Sequence, residues 1–367
     1  MSEYIEKKLL KLKLLTPVHI SDGYEGELIP TEYVITDNGQ LYKIDLAKLI
    51  SQLPEDKLNL LNTFLESEDI IGIRNFIKSL WNECQHIFSD SIEFSMNAGD
   101  LREYYNNLQN ENDASQLIVI PFIRSGKRTF IPGSSIKGAI RTAFINELFK
   151  TQIDYSLNRS DINKEAQMLE EKTLNYGYRD RETGKWKRNV AKDPFKALKI
   201  SDAFAPSDNS IVKKIEIVRK TGAGKFDITG MEQMKIFEEV LVEGIEIKVE
   251  VRLDNRYFNN IDRQISLEQV ANSCRTFYRR VLQHERDNYF TDFDKEVKIS
   301  RISDLYSEFL KLNESPKSFL LRIGKNSGRN SLSFNLRNKK GVEPKSRKLI
   351  IEGKEYLPLG WVCLTMT

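Results

Sequence analysis

The chain has 367 residues, 40% of them hydrophobic and 30% charged, with a formal net charge of +3. That length exceeds one ordinary core of about 100–200 residues, so two packed units are expected. No apolar run approaches the roughly 18–20 residues of a membrane-spanning helix, no cleavable leader is readable at the amino terminus, and Cys84, Cys274 and Cys363 are too scattered for a disulfide framework. These features point to a cytoplasmic protein with buried thiols.

Leu10, Leu12 and Leu14 alternate with lysines, the period of a half-buried strand, which Thr16-Pro17 ends. After the loop around His19, segments 32–36 and 41–44 flank Asp37-Asn38-Gly39-Gln40, which predicts a hairpin with a type I′ turn. Asp45 is placed to cap the helix that follows. Leu58, Leu61 and Leu65, then Phe76, Ile77, Leu80, Trp81 and Cys84, recur at helical spacing and define a helical insertion at about 54–115. A polar loop at 106–115 precedes the strand 117–121, and Ser125-Gly126-Lys127 turns the chain into Thr129-Phe130-Ile131-Pro132.

Ile136, Ile140, Ala143, Phe144 and Leu148 form the apolar stripe of the next helix. Residues 151–195 show no sustained period and are expected to be an irregular charged arm. Strand character returns at 198–201 and 212–219. It is clearest in the alternation of Ile245, Ile247, Val249, Val251 and Leu253, read as the start of a second sheet. Val270, Cys274, Phe277, Tyr278, Val281 and Leu282 share one face of a helix over 267–289, and residues 361–366 return to strand.

Basic residues are unevenly placed. Eight lie between Arg179 and Lys199 against three acidic ones, and nine between Arg322 and Lys348 against Glu343 alone. Solvated loops account for either run by itself; two runs beside glycine-rich loops point to a polyanion.

The segment Pro132-Gly-Ser-Ser-Ile-Lys-Gly-Ala-Ile-Arg141 joins a strand to a helix, where unpaired N–H groups and the helix dipole favour an anion. Gly133 permits close backbone approach, Ser134 or Ser135 can cap the helix or bond a phosphate oxygen, and Lys137 and Arg141, four apart, share a helix face. A capped structural helix with two exposed cations is the competing reading. The Walker spacing is absent, so nucleotide hydrolysis is not expected.

A second anion loop is read at Arg322-Ile-Gly324-Lys325-Asn-Ser-Gly328-Arg329-Asn330, with Asn326, Ser327 and Asn330 as donors to ribose and phosphate. His19 is a candidate acid or base, though a lone histidine is usually structural, and Asp22 has no second carboxylate beside it for two-metal chemistry. Cys84 and His86 fall short of a four-ligand zinc site, so neither metal nor cofactor is expected.

The ordered set Thr16-Pro-Val-His-Ile-Ser-Asp-Gly23, Phe130-Ile-Pro-Gly-Ser-Ser-Ile-Lys-Gly-Ala-Ile-Arg-Thr142, Ile200-Ser-Asp-Ala-Phe204, Leu321-Arg-Ile-Gly324 and Pro358-Leu-Gly-Trp361 resembles the RAMP superfamily of CRISPR-associated proteins. Within it, the length, the helical insertion and the late Arg-Ile-Gly loop look most like the family of fifth subunits in type III-A Csm effector complexes. The first loop departs from the family's His-Ile-Gly-Ser-Gly form at Ser21 and Asp22.

The resemblance implies an α+β fold of two ferredoxin-like, RRM-like (RAMP) domains with antiparallel sheets, divided here as 1–205 and 206–367. It implies a non-catalytic RNA-binding subunit that caps the backbone of the complex at the 3′ end of the CRISPR RNA and supports its maturation in antiviral defence. The implied partners are CRISPR RNA, target RNA, the backbone and other Csm subunits, and host nucleases for 3′ trimming; no membrane is involved. Gly133, Ser134, Ser135, Lys137, Arg141, Arg322, Gly324, Lys325 and Arg329 are the expected RNA contacts. The alternative is a metal-independent endoribonuclease that processes the guide precursor with His19.

Overall fold

A computed structural model describes residues 4–21, 23, 26–107, 117–149, 162–222, 224–228, 235–337 and 343–366. Its centre is a five-stranded antiparallel sheet in the order Leu198–Ile200, Glu246–Asp254, Ile5–Leu14, Trp361–Met366, Ser318–Arg322. The leucine alternation near the amino terminus does its expected work: Leu10, Leu12 and Leu14 are buried. Helices Gly133–Leu148 and Leu267–Glu285 share a core with the sheet, contributing Ile136, Ile140 and Phe144 from one and Cys274, Phe277 and Tyr278 from the other.

The α+β class with largely antiparallel sheets is therefore as expected, but a boundary at 205/206 does not separate two sheets. Strand Ile5–Leu14 lies between Glu246–Asp254 and Trp361–Met366, so the two halves complete one sheet. The 245–253 alternation marks the neighbour of the first strand rather than a new sheet; hydrophobic period reports a buried face and says nothing about the partner.

A second, six-stranded sheet is mixed, in the order Tyr33–Ile35, Gln40–Ile44, Ile92–Asn97, Ser210–Lys214, Phe237–Leu241, Val119–Ile120, with parallel joins at Ile211–Asn97 and Phe237–Val119. Helices Glu55–Glu66 and Ile70–Glu83 bury Leu61, Phe76, Ile77, Leu80 and Trp81 in a core with Val34 and Ile44. The stretch 212–219 is two strands, Ser210–Lys214 in this sheet and Glu216–Gly222 in a four-stranded one. The hairpin at 33–44 exists, but its turn is not type I′. Only Gly39 has positive φ, +81°, and Gly39 N–H donates to the Thr36 carbonyl at 2.9 Å, the geometry of a type I turn closed by a glycine bulge.

The expected irregular arm is partly ordered. Helix Ile162–Thr173 is followed by the hairpin Gly177–Arg179 and Trp186–Arg188, while 150–161 and the polar stretch 108–115 lie outside the described residues. Among the described residues no helix is long and apolar enough to cross a membrane.

Candidate nucleic-acid interface

The helix Gly133–Leu148 starts after Pro132 without a side-chain cap from its own turn. Its first N–H is instead satisfied by Asp202, whose Oδ1 accepts from Gly133 N at 2.8 Å. A Cβ at Gly133 would lie 2.1 Å from the Ile200 carbonyl oxygen. Gly133 thus lets the 200–202 backbone close over the helix start, and the exposed Asp202 carboxylate accepts the N–H that the sequence left for an anion. This contact explains why the Pro-Gly-Ser and Ile-Ser-Asp-Ala-Phe motifs occur together: they interlock.

The loop after strand Ser318–Arg322 is held in the same way. Gly324, at φ +88°, faces the His19 carbonyl oxygen, which a Cβ would approach to 2.2 Å, and Lys325 N–H donates to that oxygen at 3.0 Å. Ile323 N–H donates to Gly360 O at 2.8 Å, Gly360 N–H to Pro17 O at 2.9 Å, and Trp361 N–H to the Thr16 hydroxyl at 3.0 Å. The first loop, the glycine loop and the Pro358-Leu-Gly-Trp361 turn are thereby one backbone-bonded unit.

A cleft of about 430 Å³ opens where this unit meets the Gly133 helix. Ser21 comes from the first loop, Ser135, Gly138 and Thr142 from the helix, and Lys325 and Ser327 from the glycine loop. The hydroxyls of Ser21, Ser135, Thr142, Ser327 and Ser331 share this lining with apolar side chains such as Ile20, Ala139 and Leu332, with exposed Lys325 in it and exposed Arg329 on the same loop. Lys325 also approaches the buried Glu238 carboxylate at 3.9 Å.

The structure brings some of the expected contacts together and separates others. Lys137 and Arg141 do share a helix face, but the cleft takes the face carrying Ser135, Gly138, Ala139 and Thr142. Arg141 is engaged internally, with Nε 2.6 Å from Glu170, Nη1 2.9 Å from Asp193 and Nη2 donating to the Tyr176 hydroxyl at 3.0 Å. Lys137 is half-buried, and burial first, then Lys199 and Arg141, push its pKa down against the opposing pull of Asp193.

Arg322 is 4% exposed and donates to Glu285 at 2.7 Å and to Leu359 O at 3.1 Å. The Arg322 and Arg141 charges are thus both met by carboxylates of the protein itself, although Arg322 also lines the cleft. Asn326 and Asn330 are also internal, donating to Glu238 and Glu343, so the role of ribose donor falls to neither.

His19 is 1% exposed, with Nδ1 2.7 Å from the Glu239 carbonyl oxygen and its Nε2 enclosed without a hydrogen-bond partner among the described residues. Burial lowers its pKa, with the nearby Glu238 charge acting in the opposite sense. An imidazole walled off behind Gly324 does not reach a phosphodiester, so the acid–base reading of His19 is not supported. Asp22 lies outside the described residues.

Residues missed in the sequence are Ser21, Gly138, Thr142 and Ser331. The helical ones carried a signal: Ser135, Gly138, Ala139 and Thr142 fall at i, i+3, i+4 and i+7, a stripe of small residues beside the apolar one.

Residues 11–329 match the family model of the RAMP superfamily. Over 299 residues the chain is 26% identical to the CRISPR system Cms protein Csm5 of Methanocaldococcus jannaschii, covering 75% of this chain but only 62% of that protein's length. The fold is similar to a chain of the Csm–crRNA–target RNA ternary complex of a type III-A CRISPR-Cas system, with a TM-score of 0.64, 20% identity and coverage of 98% of this chain and 100% of the other. It is also similar to T. onnurineus Csm5, with a TM-score of 0.60, 19% identity and coverage of 96% and 99%. The interlocked motif loops, the antiparallel α+β framework and the match over most of its length all place this chain in the RAMP superfamily.

Proposed function

We propose that this chain is a non-catalytic RNA-binding subunit of a type III-A Csm effector complex. In this reading it holds the backbone of CRISPR RNA toward its 3′ end, caps the filament of backbone subunits, and supports maturation by host nucleases in antiviral defence. The observation that carries the proposal is the cleft in which the first loop, the Gly133 helix and the glycine loop converge, with five serine and threonine hydroxyls and Lys325 in its lining and Arg329 exposed on the same loop. Such a surface suits phosphate and ribose oxygens and does not read base sequence. Lys325 and Arg329 are the principal cations; Ser135, Ser327 and the Gly324 backbone line the path, Ser134 is exposed one residue before Ser135, and Lys137 flanks the path on the neighbouring helix face.

The test is filter binding of a CRISPR RNA across a salt series, with wild type and a Lys325→Ala/Arg329→Ala variant. Loss of two phosphate contacts lowers affinity and flattens the slope of log K against log salt by about 1.4, at roughly 0.7 per contact on a single strand. Unchanged affinity and slope would remove the cleft from the RNA path. Incubation of the purified chain with repeat RNA in chelator is expected to leave the RNA intact.

A further inference from the structure

The basic run that begins at Arg179 folds into a braced arm. One side chain of the Gly133 helix fastens both ends of it: Arg141 meets Glu170 ahead of the hairpin and Asp193 beyond it, and its Nη2 donates to the Tyr176 hydroxyl at the hairpin's base. The hairpin Gly177–Arg179 and Trp186–Arg188 is also packed on its own helix, Ile162–Thr173. Trp186 Nε1 donates to the buried Glu171 carboxylate, and a Cβ at Gly177 would lie 2.5 Å from the Trp186 ring. At the tip, Asp180 closes the turn, accepting from Thr183 N at 2.8 Å and from Lys187 Nζ at 2.6 Å.

The surface that this ribbon shows to solvent is mostly positive. Arg179, Arg181, Lys185, Lys187 and Arg188 are all exposed, against Asp180, which the turn engages, and Glu182. The register sets Tyr178 opposite Lys187 and Arg179 opposite Trp186, so Tyr178 lies on the face turned away from the packed Trp186. Tyr178 is 51% exposed, and among the described residues no ring or cation packs on it.

We propose that this ribbon is a second RNA-binding element, on which a base of a single strand stacks against Tyr178 while Arg179, Arg181, Lys185 and Arg188 hold the adjoining phosphates. An open ring among cations is the combination by which single strands are held through stacking and backbone charge. Residues 177–188 contain no aliphatic side chain, so the ribbon offers a protein partner too little apolar surface. Bracing by Trp186 and Arg141 leaves little conformational freedom to be lost when a strand docks. Arg141 shares a helix face with Lys137, which seats the arm beside the cation that flanks the cleft. The inference rests on the RNA-binding reading above and adds a distinct contact to it.

The experiment uses the full chain and a fluorescent single-stranded RNA carrying 5-iodouridine, read by equilibrium binding across a salt series and by mapping of photocrosslinks. Arg179→Ala/Arg181→Ala/Lys185→Ala is expected to lower affinity and to flatten the slope of log K against log salt by about 2, at roughly 0.7 per contact. Tyr178→Leu is expected to weaken binding about tenfold with an unchanged slope, and Tyr178→Trp to retain wild-type affinity. Crosslinks are expected within 177–188, competed by unlabelled RNA. Thermal melts check that each of these surface variants stays folded. If wild type binds RNA and responds to Lys325→Ala/Arg329→Ala while the triple variant keeps its affinity and slope and no crosslink falls within 177–188, the ribbon is overturned and the cleft survives. A triple variant that loses affinity while every crosslink stays outside 177–188 reduces the ribbon to a long-range field and also overturns the contact. Wild-type affinity of Tyr178→Leu overturns the stacked base. Absence of RNA binding by wild type overturns both readings.

Discussion

Gly324 and the His19 carbonyl are in contact, and the contact tolerates no side chain: a Cβ on Gly324 would sit 2.2 Å from that oxygen, and the backbone there is left-handed at φ +88°. Gly324→Ala is therefore expected to destabilise the protein by roughly 2–4 kcal/mol, the sum of backbone strain and overpacking. Chemical denaturation measures it, and a variant as stable as wild type would show that the two loops are not locked as described.

Gly138 is the opposite case, with nothing within 4 Å of its would-be Cβ. Gly138→Ala in the helix is expected to stabilise by about 0.5–1 kcal/mol. Because Gly138 also lines the cleft, Gly138→Glu sets a carboxylate among the proposed phosphate contacts. It should leave the melting temperature near that of wild type and weaken RNA binding at least tenfold, with the loss greatest at low salt.

Removing Arg322 separates a structural cation from an RNA contact. Glu285 is 1% exposed, and Arg322 shares it with the Tyr306 hydroxyl at 3.0 Å and Arg347 Nε at 3.3 Å. Arg322→Met is expected to cost about 3–5 kcal/mol by leaving a buried carboxylate short of a partner. The salt slope of RNA binding should stay where it was; a flatter slope in the folded variant would return Arg322 to the phosphate set.

Two histidines push the pH dependence of stability in opposite directions. The hydrogen bond to Glu343 at 2.7 Å raises the His284 pKa above its usual value. Its contribution is fully present below the unfolded value of about 6.5 and is lost as pH rises through the folded value. Burial lowers the His19 pKa, so the unfolded chain takes that proton more readily and stability falls as pH drops below about 6.5. Burial opposes ionisation of Glu343, but hydrogen bonds from His284, Arg347 and Asn330 hold its pKa at about 2, so its contribution is present above the ordinary carboxylate range and fades as pH falls toward that value. Melting curves of His284→Gln between pH 5 and 8 are expected to lie below wild type at the acid end and converge with it at the alkaline end. A constant offset across that range would reject the assignment.

Periodic segments were legible in the sequence. The 245–253 alternation and the 267–282 apolar face both became the elements they announced, because burial on one face imposes its period directly. Strand partners were not legible, since the neighbours of Ile5–Leu14 come from the far end of the chain and no local pattern encodes that pairing. The same distance hid the fate of the cations. Arg141 and Arg322 look alike in sequence to Lys325 and Arg329, and only the fold shows that Glu170 and Asp193 meet Arg141, Glu285 meets Arg322 and Glu238 approaches Lys325. The motif loops were found correctly as a set, and two of their glycines, Gly133 and Gly324, make close backbone contacts between loops that no local pattern announces.

The position of strand Ile5–Leu14 in the middle of the central sheet has a consequence for biogenesis. Strand Ile5–Leu14 leaves the ribosome well before both of its neighbours, Glu246–Asp254 and Trp361–Met366. At roughly 5–20 residues per second of synthesis, its lysine-and-leucine edge stays unpaired for about ten seconds or more. High contact order makes the later closure slow as well. Nascent chains should therefore depend on holdase chaperones until the last strand emerges, and Lys8, Lys11 and Lys13 stand along that strand as the charges that keep it from pairing with another copy of itself.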